Sequence, residues 1–239
     1  MAHTINEELF TLRKEIKYVV PTEKAIAIRS RLDKILPKDE HCTSGFYSVR
    51  SLYFESVNDT DFSEKVDGID IRKKVRLRIY NGDDSLCKLE IKQKNGDLQR
   101  KHSFTISTDD ARELSRGNYG MLRNYFHDTQ TSIDVYAIMS QGCYRPVVQI
   151  EYDRIAYRYP MYDTRITLDM NTRSSETNMD IFSSEIRYTP IMRESTVLEI
   201  KYSGRLMGFI SDILSQYDLT QGSYSKYCAG RKVYYDFIW

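Results

Sequence analysis

Apolar and charged residues alternate along several short stretches of the chain, which is the pattern of β-strands with two unlike faces. In residues 13–20, Glu15 and Lys17 lie on one side while Ile16 and Tyr18 lie on the other. Further strands are predicted at 47–56, 73–80, 86–94, 97–106, 146–159, 164–170 and 196–203. The pattern therefore predicts a strand-rich protein in which many strands carry one charged face.

Helices are predicted between these strands. Ala25, Ile28 and Leu32 form one apolar stripe in a helix that Pro21-Thr22 begins and Pro37 ends. A helical region with breaks follows at 108–141, and further helices are predicted at 205–217 and 223–237. Residues 81–84, Asn-Gly-Asp-Asp, are a good turn sequence for a hairpin between the strands at 73–80 and 86–94. The predicted fold class is α+β.

A short motif recurs on the charged faces. "KLEIKQK" and "VLEIKYS" each place a glutamate two residues before a lysine, as Glu90 with Lys92 and Glu199 with Lys201. "KEIKYVV", near the N-terminus, is a third strand of this kind. Residues two apart in a strand point to the same face. Several strands are therefore expected to contribute to one polar surface.

Two geometries fit this surface. A solvated sheet face is the default for any single strand. Here, however, the face is almost wholly charged, and two like charges about 6 Å apart repel by roughly 3 kcal/mol at an effective dielectric near 20. If helices cover the apolar faces, the charged faces must line a wide barrel. The residues expected to line it are Glu15, Lys17, Arg76, Arg78, Glu90, Lys92, Lys94, Arg154, Arg158, Arg165, Asp169, Glu199 and Lys201.

Composition narrows the possible ligands and compartments. The 239 residues are 29% charged with a net charge of only +1, which argues against a general nucleic-acid binder and makes any basic site local. No apolar run reaches the roughly 20 residues of a membrane span, and the first residues lack the pattern of a signal peptide. Cys42, Cys87, Cys143 and Cys228 are scattered, as expected for free thiols in the cytoplasm.

Phosphate is the ligand that such a channel would suit. Arginine forks bind phosphate through paired hydrogen bonds, and lysine binds it as a point charge. Carboxylates would be poorly placed against bare phosphate, but they become ligands when a hard divalent cation lies between them. Basic residues combined with a few carboxylates therefore predict a triphosphate site.

At this point the motifs resemble a known family. The stretches "RKEIKYVV", "VRSLYFES", "KVRLRIY", "LEIKQK", "YDRIAYR", "RITLD", "LEIKY" and "SYSKYCAG" occur in the order seen in the VTC-type polyphosphate polymerase domain, one of the CYTH-like triphosphate tunnel metalloenzymes. The resemblance covers about residues 13–234 and implies one domain over 1–239. It implies an antiparallel β-barrel tunnel with helices packed outside, Mn or Mg as cofactor, and transfer of the γ-phosphate of ATP to a growing polyphosphate chain.

The resemblance also implies roles for individual residues. Those expected in catalysis are Arg76, Arg78, Lys92, Arg154, Arg165 and Lys201. Those expected to bind phosphate are Lys17, Lys94, Arg158, Ser225 and Lys226. Glu199 is the expected metal ligand, with Glu90 and Glu15 as helpers.

Alternatives remain open at the level of sequence. The same tunnel suits a triphosphatase that hydrolyses inorganic or nucleoside triphosphate, or a module that binds polyphosphate without turnover. The resemblance implies a possible membrane-protein partner, since the eukaryotic polymerase belongs to a membrane assembly. Oligomeric state, preferred nucleotide and primer are not fixed by the sequence.

Overall fold

A computed structural model describes residues 13–42, 44–83, 85, 87–96 and 98–235. Its strands are β1 (Arg13–Pro21), β2 (Tyr47–Glu55), β3 (Arg72–Tyr80), β4 (Cys87–Asn95), β5 (Leu98–Ile106), β6 (Arg145–Tyr159), β7 (Thr164–Ser175), β8 (Thr189–Pro190) and β9 (Ser195–Ser203). Its helices are α1 (Thr22–Ile35), α2 (Thr60–Val66), α3 (Thr108–Ser115), α4 (Gln130–Gln141), α5 (Gly208–Ser215) and α6 (Lys226–Tyr235), with short 3₁₀ helices at Tyr119–Tyr125 and Met161–Asp163.

All nine strands belong to one sheet. The order is β1-β9-β7-β6-β2-β3-β4-β5, with β8 added beside β7, and every pairing is antiparallel. β1 and β5 form the two edges, and no pairing among the described residues joins them. The sheet is therefore a curled one that is not closed by backbone hydrogen bonds in the part of the chain described.

The apolar face of the sheet carries helices α1, α3, α4 and α5 and two hydrophobic cores. One core joins β2 to β5 with α3 and α4, through residues such as Leu77 and Leu114. The other joins β1, β6, β7 and β9 with α1 and α5, through residues such as Ile28 and Leu198. The outward position of these helices and the apolar face were both predicted from the alternation, and both are confirmed.

Local sequence explains several boundaries. Within the connection from β3 to β4, Asn81 and Gly82 both have positive φ, at 54° and 68°, as the two central residues of a type I′ turn require. Asp83 donates its backbone N–H to the carbonyl of Tyr80 and closes the turn. Asp84, assigned to the same turn from the sequence, lies outside the described residues. Helix α1 begins at Thr22, as predicted; its N-cap is Pro21, and no side chain caps it.

Helix α2 was not predicted, because the group that caps it belongs to the preceding strand β2 and not to the residues just before the helix. Glu55, at the end of β2, accepts hydrogen bonds from the backbone N–H groups of Asp61 (3.0 Å) and Phe62 (2.9 Å). These are donors that the first turn of a helix leaves without partners. The strand β7 runs five residues beyond its predicted end, and α5 begins three residues later than predicted.

Helix α6 departs from the predicted arrangement because it packs on the charged face of the sheet. The ring of Tyr227 stacks on Tyr53 of β2, with centroids 5.1 Å apart. A Cβ on Gly230 would lie 2.3 Å from Cδ1 of Ile150 on β6, so a larger residue there would require the Ile150 side chain to move. The helix begins at Lys226, three residues later than predicted, which leaves Ser225 just before it.

No helix in the described residues is long and apolar enough to cross a membrane. The four cysteines are free, as expected; Cys143 is exposed and the other three are buried.

The core position of Leu77 makes a direct stability prediction. Leu77 is fully buried in the core against α3 and α4. Replacing it with alanine removes packed methyl groups, so Leu77→Ala is expected to lower the free energy of unfolding by about 2–5 kcal/mol. Ile26→Ala, at a position of α1 that is 62% exposed, is the control and should change it by about 0.5 kcal/mol or less. Urea unfolding measures both, and equal effects would contradict the placement of this core.

Candidate functional site

Charges on one face of the sheet are paired across neighbouring strands. Lys17 faces Glu199 between β1 and β9, Arg76 faces Glu90 between β3 and β4, and Arg154 faces Asp169 between β6 and β7. Opposite charges directly across a strand pair are stabilising. Like-charged neighbours also occur, as expected from the sequence, at Lys74–Lys92, Lys92–Lys101 and Arg158–Arg165.

The charged face is the concave face of the curled sheet. Lys92 on β4 is within electrostatic reach of Glu15 on β1 and of Glu199 and Lys201 on β9, although four strands separate β4 from β9 in the sheet. Such proximity is possible only if these side chains converge across a hollow. The inward geometry is therefore confirmed over the solvated sheet face.

Glu90 is enclosed by three cations. Arg76 donates from Nε to Glu90 Oε2 at 2.7 Å, Lys101 Nζ lies 2.5 Å from Oε1, and Arg78 Nη1 lies 3.8 Å from Oε2. Burial alone would raise the pKa of Glu90, but the three positive charges outweigh it and the pKa is lowered. Arg76 also donates to the hydroxyl of Tyr53 at 3.0 Å, and all of these groups except Lys101 are nearly inaccessible to solvent.

A second cluster joins β6, β7 and α6. Arg154 binds Asp169 through two parallel hydrogen bonds of 2.6 and 2.8 Å, and Lys226 Nζ lies 2.5 Å from Asp169 Oδ2. Burial would raise the pKa of Asp169, but Arg154 and Lys226 lower it to about 2. The ring of Tyr152 lies below both cations, 4.6 Å from Lys226 Nζ and 5.2 Å from the Arg154 guanidinium carbon.

A third cluster, on β1 and β9, consists of two lysines and two glutamates that contact one another. Lys201 Nζ lies 2.5 Å from Glu199 Oε1 and 3.6 Å from Glu15 Oε2. Lys17 Nζ contacts Glu15 and lies 3.4 Å from Glu199 Oε2. Burial acts against ionisation of Glu199, yet Lys201, Lys17, Arg154 and Lys226 hold its pKa well below its usual value.

Lys92 lies between these clusters without a carboxylate partner among the described residues. Burial lowers its pKa well below the usual value, and the charges of Arg76 and Lys201 lower it further, while Glu15 and Glu199 act in the opposite direction. A buried ammonium without a counter-charge is costly. An anionic ligand would relieve that cost.

Other expected residues lie at the periphery. Arg165 is partly exposed and donates to Asp39 Oδ2 at 2.9 Å and to the hydroxyl of Tyr47 at 3.0 Å. Arg158 is exposed, and Lys94 borders a surface cavity with Arg72 and Arg100. Ser225 accepts a hydrogen bond from Lys74 Nζ at 2.7 Å. The structure therefore gathers Lys17, Arg76, Arg78, Lys92, Arg154, Lys201 and Lys226 closely, and places Arg158 and Lys94 apart from them.

The three expected metal ligands do not form one group. Glu15 and Glu199 lie together and offer carboxylate oxygens, which fit Mn or Mg. Glu90 lies in a separate cluster with Arg76 and Lys101, so it does not join Glu15 and Glu199 as a third ligand. Among the described residues, Asp39, Glu40 and His41 also bring potential ligand atoms within 4.8 Å of one another, but Asp39 pairs with Arg165 and the other two are exposed.

Sequence reasoning missed the aromatic and serine partners of these cations. Neither Tyr53 nor Tyr152 was among the residues predicted for the site, yet their hydroxyls contact Arg76 and Arg78 respectively. Tyr53 and Ser51 share the concave face because they are two residues apart in β2, and this alternation was the available signal.

Comparison with solved structures places this fold in a known class. One similar structure is that of a protein from Hippeastrum, named as a candidate adenylyl cyclase and described as having a dominant triphosphatase activity. It is 15% identical to this chain, with a TM-score of 0.59, and the alignment covers 92% of this chain and 95% of the Hippeastrum chain. A candidate adenylate cyclase from Bacillus halodurans is 15% identical with a TM-score of 0.55, covering 90% and 93%. The fold is that of the triphosphate tunnel proteins, as the sequence led us to expect.

The family follows from the sequence itself. The model of the VTC domain matches residues 12–235, nearly the whole chain, and the protein belongs to the VTC domain family. No curated protein matches it.

The enclosure of Glu90 predicts a pH-dependent loss of stability. Glu90→Gln leaves Arg76, Arg78 and Lys101 without their counter-charge, so at neutral pH the free energy of unfolding should fall by roughly 3–5 kcal/mol. Because the folded pKa of Glu90 lies below the unfolded value of 4.5, its contribution is present above pH 4.5 and is lost as the pH falls. Urea unfolding should therefore show the wild-type advantage narrowing below pH 4.5.

The matched control for this experiment is Glu113→Gln. Glu113 is on α3, is 43% exposed and pairs with Arg116 at the surface. Its substitution should have little effect on stability, because an ion pair at the surface contributes little. A Glu90→Gln variant as stable as this control at neutral pH would contradict the buried ion cluster.

Proposed function

We propose that this protein is a phosphotransferase of the polyphosphate polymerase type, which moves the γ-phosphate of ATP onto a growing polyphosphate chain. The observation that carries the proposal is the convergence of nearly buried Arg76, Arg78 and Arg154 with Lys92 on one concave face. Membership of the VTC domain family supports the same assignment. All described strands contribute to one sheet, which supports a single domain over 1–239 with its core at about 13–234.

Phosphoryl transfer mainly requires positioning and stabilisation of charge. The guanidinium groups of Arg76, Arg78 and Arg154 would bind the oxygens of the transferred group, with Lys92 and Lys201 as point charges. Lys17, Ser225 and Lys226 would hold neighbouring phosphates. Their positions are fixed before the ligand arrives, because Glu90, Asp169 and Glu199 hold the cations in place.

The reaction balances without a proton transfer to the protein. A terminal oxygen of the acceptor chain forms a bond to the γ-phosphorus, and the bond from that phosphorus to the oxygen bridging the β-phosphate breaks. ADP leaves, and the chain is one phosphate longer. Glu199 and Glu15 would hold Mn or Mg, which supplies Lewis-acid stabilisation of phosphate charge when bound.

The protonation states favour an acceptor that is already ionised. Glu199, Glu15, Glu90 and Asp169 all have lowered pKa values because neighbouring cations outweigh their burial. Carboxylates held so strongly in the ionised form are weak general bases at neutral pH. A phosphate oxygen of polyphosphate needs no base, whereas water does.

Hydrolysis of a triphosphate is the second candidate, and one observation favours it. The strongly lowered pKa of Lys92 makes its amine a candidate acceptor for a proton from water. The Hippeastrum protein of similar fold is described as a triphosphatase. A non-catalytic polyphosphate-binding module is the third possibility.

The compartment and partners follow from the same proposal. ATP as donor and three buried free thiols support a cytoplasmic site of action. A membrane-protein partner that receives the product is part of the proposal. The substrate is a triphosphate rather than a nucleic acid.

Product analysis distinguishes the three possibilities. Purified protein is incubated with ATP and Mn, and the products are resolved on a polyacrylamide gel stained for polyphosphate. A ladder of long chains with equimolar ADP supports the polymerase. Orthophosphate without chains supports hydrolysis and refutes the polymerase. Binding of polyphosphate without release of ADP supports the third possibility.

The metal-ligand role predicted for Glu199 has its own test. Glu199→Gln keeps the size of the side chain but removes the charge, so ADP release should fall by about 100- to 1,000-fold, a loss typical of removing one charge-stabilising group. Raising the Mn concentration should recover part of the rate. Glu113→Gln is the control, and turnover in Glu199→Gln equal to that of the control would refute the role.

A further inference from the structure

Two lysines outside the expected site bind serines of the segment that leads into α6. Lys65 Nζ, on α2, lies 2.9 Å from Ser223 Oγ, and Lys74 Nζ, on β3, lies 2.7 Å from Ser225 Oγ. Lys74 also lies over the ring of Tyr227, 5.2 Å from its centroid. We call Lys65, Lys74, Ser223 and Ser225 the lysine–serine cluster.

This cluster lacks the negative charge that accompanies most other cations of the hollow. Arg76, Arg154, Lys17, Lys201 and Lys226 each contact a buried or half-buried carboxylate. Among the described residues, neither Lys65 nor Lys74 forms an ion pair with a carboxylate; their hydrogen-bond partners are the two serine hydroxyls.

The electrostatics of the lysine–serine cluster favour the binding of an anion. Burial lowers the pKa of Lys74; Cys228 and Tyr53 oppose this, and the charges of Lys65 and Lys17 lower it further. Burial also lowers the pKa of Lys65, with Arg72, Lys17 and Lys94 acting in the same direction and Cys228 against them. Hydroxyl groups do not neutralise this charge, whereas phosphate oxygens would.

We propose that the lysine–serine cluster is a subsite for metal-free phosphate groups of the acceptor chain, separate from the donor triphosphate. This assignment rests on the proposed polyphosphate polymerase function and adds a location for the acceptor. A donor triphosphate carries a divalent cation that needs carboxylate ligands, which Glu15 and Glu199 supply. Phosphates without a metal need cations that no carboxylate offsets, and the lysine–serine cluster supplies these.

The lysine–serine cluster extends from the rim of the hollow towards its interior. The hydrogen bond between Lys65 of α2 and Ser223 is exposed, whereas that between Lys74 of β3 and Ser225 is partly buried. Ser225 is followed directly by Lys226, whose ammonium group reaches the central Asp169. A chain bound along Ser223 and Ser225 would therefore have its end directed towards the cluster where transfer is proposed.

The test compares two ligands on the same variants. Binding of a linear polyphosphate is measured by calorimetry in the presence of EDTA, and binding of ATP is measured with Mn. Loss of one charged hydrogen-bond donor costs about 10- to 100-fold in affinity, so Lys65→Gln and Lys74→Gln should each weaken polyphosphate binding by about tenfold or more. In Lys65→Gln, affinity for ATP with Mn should change by about twofold at most, because Lys65 hydrogen-bonds to Ser223 and shares no partner with the residues assigned to the donor.

Lys34→Gln is the matched control, since Lys34 is exposed on α1, which packs on the opposite face of the sheet. It makes the same change in net charge and should leave both affinities unchanged at equal salt. Because Lys74 is largely buried and its substitution can impair folding, Lys65→Gln and Ser223→Ala at the rim provide the same test in a folded protein.

Either of two results would overturn the subsite: polyphosphate affinity equal to wild type in the rim variants, or parallel losses for polyphosphate and ATP. Failure of the proposed function has a different signature, because the binding measurement requires no turnover. If the wild-type protein releases only orthophosphate, the polymerase and the acceptor role are refuted. Metal-free polyphosphate binding that still weakens in Lys65→Gln and Ser223→Ala, but not in Lys34→Gln, would then identify the cluster as a polyphosphate-binding site without an acceptor role.

Discussion

Pairing of buried charges across neighbouring strands is the constraint on which this structure depends. A concave face lined with arginine and lysine would repel itself in a medium of low dielectric. The register resolves this by setting Glu90 against Arg76, Asp169 against Arg154 and Glu199 against Lys17. The carboxylates also fix the directions of the cations, so the same contacts that stabilise the sheet prepare the phosphate-binding groups. Structure and proposed chemistry are therefore difficult to separate by substitution at these positions.

Much of the fold was predictable because its signal is local. Alternation predicted the charged and apolar faces of β3, β4 and β9, and the apolar stripe of α1 predicted which side faces the core. Pairing partners were not predictable, because β1 pairs with β9 at the far end of the chain rather than with its neighbour in sequence. For this reason Glu90 and Glu15 looked equivalent in the sequence, although one is enclosed by arginines and the other lies beside Glu199.

Helix α6 shows a second limit of sequence patterns. Its residues include enough apolar positions to predict a helix, but the side of the sheet on which it packs depends on contacts from distant strands. Tyr53 and Ile150 receive Tyr227 and Gly230 on the charged face. This packing brings Lys226 to Asp169, a contact between residues 57 positions apart in the chain. The helix is therefore part of the lining of the hollow as well as part of the fold.

Glu55 connects two of these features. Its carboxylate accepts the backbone N–H groups that begin α2 and also the hydroxyl of Tyr227 on α6. Helices α2 and α6, which flank the lysine–serine cluster, are thus both hydrogen-bonded to the Glu55 carboxylate at the end of β2. Substitution there would displace Lys65 and the serines together rather than one at a time. Position 55 is consequently a point of epistasis: substitutions in α2 and in α6 should have non-additive effects, because both helices are held by the same carboxylate.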